Sequence, residues 1–245
     1  MKSLEKVREY FISRRDREGA GKCNFIIGLF TALLLFSACS STPPLKRLKA
    51  QLASAPEYAI TLEDMRTGGT IFTTYYHKYK VIQGNKGWTT NWLEVPESTY
   101  KANANFLGMT LVSKTPAGEN SSPHPPGYDY VGNSRYGQWQ RNGGRSFWVF
   151  YGQYAMMQSL FGLGGRGIYR SDYDRYQTYR TQRRPYYGPN QGYGTNGTIT
   201  RQTRPSFFAR RQARATAKRV RFRQRVQRRV GRSRSSMRGG FGRGK

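Results

Sequence analysis

The chain has 245 residues, 36% of them hydrophobic, and carries a formal charge of +29. So large a positive excess calls for a polyanionic partner: nucleic acid, anionic lipid headgroups or an anionic envelope polymer. The two cysteines, Cys23 and Cys39, flank a single apolar run, which excludes a disulfide framework and a cysteine metal site.

Residues 1–24 are polar, with Arg14, Arg15, Arg17 and Lys22 nearest the apolar run FIIGLFTALLLFSA at 25–38. That run is uncharged but too short to cross a ~30 Å hydrocarbon core, which takes about 20 residues. It fits the apolar region of a secretory signal preceded by a basic segment. The stretch SRRDREG, 13–19, is similar to a twin-arginine signal, but the apolar residues expected after the pair are missing. Phe36-Ser37-Ala38-Cys39 resembles the lipobox of bacterial lipoproteins, with Phe36 standing where leucine is usual. The resemblance implies a signal peptide over 1–38 and acylation of Cys39 as the new N-terminus. In a double-membraned bacterium, Ser40 directly after the cysteine then suits export to the outer membrane, since aspartate there typically causes retention. Cleavage after Ser40, with Ala38 and Ser40 as the small residues, is the competing reading. Both export the chain.

Residues 39–56 read as a tether with a helical turn at 45–54. A small α+β unit is expected over 57–114. Its strands are YAITLEDM (58–65) and TIFTTYYHKYKVI (70–82), joined by a turn at Gly68-Gly69. WTTNWLEV makes a third strand stopped by Pro96; a short helix follows from Pro96 with Glu97 in its first turn, and TLVSK (110–114) returns as a strand. A unit of about 60 residues buries little surface and is marginal alone. Residues 115–165 read as an aromatic loop plus an apolar helix, SFWVFYGQYAMMQSLFG (146–162), packed on the unit.

From 166 to 204 the chain reads as a Tyr/Arg/Gly low-complexity linker. Tyr173, Tyr176 and Tyr179 recur every third residue among arginines, an arrangement suited to cation–π stacking. Residues 205–245 read as a basic amphipathic helix and an RGG-like end. Residues 201–245 alone hold +17 with no acidic residue. In a helix, Phe208, Ala215, Phe222, Val226 and Val230 share one stripe and the rest is nearly all basic, the pattern of a helix lying on an anionic membrane, although Val220 to Val226 also alternates with period two as a basic strand would. The polyanion-binding candidates are Arg210, Arg211, Arg214, Arg219, Arg221, Arg223, Arg225, Arg228 and Arg229. The expected fold class is a small α+β core with a partly helical or disordered Arg-rich C-terminal tail.

No catalytic pattern stands out. The histidines, His77 and His124, lie in a candidate strand and a Pro-rich loop, and there is no G-x-S-x-G, P-loop or H-E-x-x-H. No cofactor and no small-molecule substrate is expected. The order of parts also resembles that of small bacterial envelope lipoproteins. The reading is therefore a non-enzymatic exported lipoprotein, anchored by Cys39, whose arginines bind lipid headgroups, lipopolysaccharide or a cell-wall polymer. The alternative is a nucleic-acid-binding basic protein, which the RGG-like end GRSRSSMRGGFGRGK supports.

Overall fold

In a computed structural model that describes residues 42–69, 72–161 and 167–237, the chain from Pro43 onward forms one unit. The lipobox, Cys39 and the apolar run lie outside the described residues. Strand β1 (Tyr58–Gly68) is the centre of the main sheet, because its residues alternate between two apolar faces. Tyr58, Ile60 and Leu62 point to one side and Ala59 to the other. All pairs are antiparallel. β2 (Thr74–Gln83) lies on one flank of β1, and β5 (Thr110–Thr115) followed by β6 (Gly118–Asn120) lies on the other. β3 (Lys86–Thr89) and β4 (Leu93–Val95) pair with successive stretches of β2, so the single third strand expected at 88–95 is two. Helix α2 (Glu97–Ala102) then returns the chain to β5, as its sequence suggested.

A β-bulge interrupts β1. Leu62 pairs with Tyr79 and Asp64 with Lys78, leaving Glu63 as the extra residue. The phase of the strand shifts by one there, so Met65 returns to the face of Leu62. The bulge also sets two carboxylates, Glu63 and Asp64, side by side on the strand.

On one face of the sheet a core of Leu62, Tyr79, Val81, Leu107 and their neighbours is closed by helix α1 (Pro44–Gln51) and by Phe207. The expected tether at 39–56 thus contributes structure, with Leu52 and Ala55 buried. The opposite face carries an aromatic core that includes Tyr128, Tyr130, Tyr136, Trp148 and Tyr176. Those rings meet mostly edge-on or tilted, the favoured geometry for π-systems. A second sheet of β7 (Gly137–Asn142), β8 (Arg145–Phe150) and β9 (Ile168–Tyr169) borders it.

Two further expectations need correction. The apolar stretch 146–162 is a strand followed by a helix, α3 (Gly152–Leu160), and not one helix. Trp148 and Phe150 are buried and Phe147 and Val149 only partly so, a two-residue period that pairs β8 with β7. The segment 166–204 is no linker. It forms β9, helix α4 (Arg170–Thr181) and helix α5 (Thr198–Thr203), and Tyr176 and Tyr186 belong to the aromatic core. The three-residue spacing of Tyr173, Tyr176 and Tyr179 is a helix face in α4, and all three pack inward. Gly132, at φ +83°, admits the Tyr173 ring where a Cβ would come within 2.6 Å of its hydroxyl. The α+β class itself holds.

Candidate polyanion interface

Helix α6 (Pro205–Met237) follows from composition: Ala, Arg, Gln and Lys favour helix, and Pro205 occupies the first position, where its missing N–H costs nothing. Its N-terminal turns are fixed to the bulged part of β1. Arg204, just before it, donates from Nη2 to Glu63 Oε2 at 2.7 Å and from Nε to the Glu63 carbonyl at 3.2 Å. Phe207 is buried and meets Phe208 edge-on at 5.1 Å. Arg210 Nη2 lies 2.6 Å from both oxygens of Asp64. Arg214 donates from Nη1 to Thr67 Oγ1 at 2.6 Å and from Nη2 to the Thr67 carbonyl.

The helix is otherwise exposed from residue 211 to residue 229. The nine candidate arginines therefore divide. Arg210 and Arg214 tie the helix to β1, Arg211 borders a groove at the root, and Arg219, Arg221, Arg223, Arg225, Arg228 and Arg229 occupy the free turns. Arg221, Arg225, Arg228 and Arg229 line one shallow concavity together. Arg221, Arg225 and Arg229 are spaced four apart, so like charges repel along that face by about 0.2–0.5 kcal/mol per pair. An anion laid along the helix relieves that repulsion. The apolar stripe also continues past the root: Phe222 is 66% exposed and Val226 42%.

Beside the root, three cations surround Trp92. Arg66 stands 4.4 Å from the ring centroid, Arg210 5.8 Å and Lys78 5.9 Å. Nothing in the sequence marks this cluster. It depends on β4 entering beside β2, which places Trp92 over the end of β1.

Two polar clusters lie in the interior, around Asp129 and around His77. Asp129 accepts hydrogen bonds from Ser113, from Tyr176 and, at 3.1 Å, from Asn120 Nδ2. His124 Nε2 lies 2.6 Å from Asp129 Oδ2, and its Nδ1 donates to the Ser122 carbonyl at 2.8 Å. Both ring nitrogens thus face acceptors, and the ring and the carboxylate are buried together. Burial alone pushes the Asp129 carboxyl up. His124, Ser113 and Tyr176 outweigh it and hold the group well below the usual carboxylate range. Ser113 bonds to the carboxylate and not to the imidazole, so these three residues are not ordered as a Ser–His–Asp relay.

His77 is fully buried, stacked on Tyr100 at 5.4 Å, with Nδ1 3.0 Å from the Tyr79 hydroxyl. Burial pushes it down to about 4, so it is neutral near pH 7. The sequence marked His77 only as part of a strand; the phase of β2 turns it inward between Tyr79 and Tyr100. Among the described residues no group of three His, Cys, Asp or Glu side chains is placed to hold a metal ion, and no helix is long and apolar enough to cross a membrane. Comparison with known proteins finds no matching family model, no matching curated protein and no matching solved structure.

Proposed function

We propose that the protein is a non-enzymatic exported lipoprotein of the bacterial envelope, anchored at Cys39, that holds anionic envelope material along helix α6. The observation that carries the polyanion part is the division of that helix: its root is fixed to β1, while residues 215–229 extend as exposed turns rich in arginine and without an acidic residue. A rigid root is not needed by a tail that merely adds solubility, but it does orient a binding surface. Exposed Phe222 and Val226 within the basic turns favour a lipid surface or lipopolysaccharide, where apolar contact adds to charge attraction. An acyl chain and a basic patch together supply the two signals that lasting membrane attachment requires. The anchor rests on the lipobox resemblance at Phe36–Cys39 alone.

Labelling with a palmitate analogue in a lipoprotein-competent bacterium tests the anchor. The wild type takes up label and Cys39→Ala does not; an unlabelled wild type rejects the anchor. Binding of the full chain to anionic vesicles, lipopolysaccharide and duplex DNA at two salt concentrations tests the partner. Preference for DNA over both envelope ligands would favour the nucleic-acid reading.

A further inference from the structure

We propose that the groove at the root of α6 is a binding site for a phosphomonoester group. The proposal rests on the reading of α6 as an anion-binding element, but it uses the root and β1 in place of the free turns. The groove encloses about 510 Å³ between the first half of α6, the outer end of β1 and the chain after α2. That volume lies within the range of about 300–1,000 Å³ common for small-ligand sites.

Its lining holds five cations and no carboxylate. Arg210 is committed to Asp64 and Arg214 to Thr67, whereas Arg211 and Lys218 have no ion pair among the described residues. Arg211, Arg214 and Lys218 are spaced three and four apart and so share one face of the helix, the face turned to the groove. Tyr100 is another wall. Burial pushes its phenol up; Arg214 and, less strongly, Arg211 act in the opposite sense, and Asp64 adds to the upward push. The phenol therefore stays protonated and can donate. The side-chain amides of Asn105 and Asn196 add donors at the rim, and Met65 and Phe207 give an apolar floor.

Donors converging from Arg, Lys, Tyr and Asn suit a tetrahedral, doubly charged anion. A guanidinium offers a fork matched to phosphate oxygens, and the lysine a further point charge. The apolar floor suits the carbon skeleton next to the phosphate. A phosphorylated soluble metabolite and a phosphomonoester lipid headgroup share this chemistry.

The test uses the full chain with two probes. One is glycerol 3-phosphate, titrated by calorimetry against glycerol. The other is a pair of vesicle preparations matched in charge, containing phosphatidic acid (a monoester) or phosphatidylglycerol (a diester). R211Q/K218Q removes the two groove cations that have no ion pair and R221Q/R223Q/R225Q three of the distal ones; all five side chains are exposed, so folding is retained. The expected result is one saturable glycerol 3-phosphate site, weakened about tenfold by R211Q/K218Q, the scale of one lost charge-assisted hydrogen bond. The distal variant should leave that site unchanged. If only vesicles bind, and the preference for phosphatidic acid disappears in R211Q/K218Q, the source is lipid and the proposal stands. No saturable binding of glycerol 3-phosphate together with no preference for phosphatidic acid overturns it, as does equal weakening of the glycerol 3-phosphate site in both variants. Total vesicle affinity in the distal variant reports on the free turns alone, so the two readings fail separately.

Discussion

Two arginine-rich stretches of this chain end in opposite places. Residues 170–193 carry arginines between tyrosines, and Tyr173, Tyr176, Tyr179 and Tyr186 enter or pack on the aromatic core; residues 205–229 carry arginines between small and aliphatic residues, and nearly all remain in solvent. In α4, Tyr173, Tyr176 and Tyr179 lie on one face, and Tyr176 also reaches Asp129 and Asn120, so burial and hydrogen bonding act on the same ring. In α6 the large apolar residues near the start, Phe207 and Phe208, are the ones that dock. Arginine content alone thus says little about order. The spacing of the large rings decides which arginines are drawn against the body and which stay free.

The largest effect expected within the first region comes from Tyr176→Ala. Removing a fully buried ring should cost about 3–5 kcal/mol, read by urea unfolding. Asp129→Ala should cost a similar amount, about 3–5 kcal/mol, because it leaves the buried donors of Ser113, Asn120, His124 and Tyr176 without their shared acceptor. Stability should also depend on pH through His77. Its pKa is about 6.5 when free and about 4 when folded, so the unfolded chain binds the extra proton between these values. The unfolding free energy is then full above pH 6.5 and falls toward pH 4, by at most about 3 kcal/mol. A leucine at position 77 should flatten that window; an unchanged slope would remove His77 as its source. At the root of α6, Arg210→Ala should cost only about 1 kcal/mol, because that ion pair is partly open to solvent. In the free turns the same substitution at Arg223 should change stability by less than about 0.5 kcal/mol.

Much of the main sheet was legible beforehand. Strands β1, β2 and β5 announce themselves through β-branched and aromatic content, Pro96 marks the turn into α2, and α6 shows its helix formers and stripe. Three features were not. The bulge at Glu63 leaves no local signal, yet it positions both carboxylates that hold α6. The Asp129 cluster joins Ser113, Asn120, His124 and Tyr176, whose convergence depends on long-range packing. The tyrosine periodicity of α4 was visible, but tyrosine suits a stacking surface as well as a core, and only the aromatic partners at 128, 136, 148 and 186 decide between them. For the same reason the sequence grouped Arg210 and Arg214 with the free arginines. Their acceptors, Asp64 and Thr67, are remote in sequence.

The central claim is that the free turns of α6 bind anions while its root holds the helix in place. Its most direct test is the affinity of the full chain for phosphatidylglycerol vesicles, wild type against R221Q/R223Q/R225Q. At roughly 1 kcal/mol per basic residue near an anionic surface, the variant should bind about a hundredfold more weakly, with its unfolding midpoint unchanged. An equal affinity in the two proteins would contradict the account.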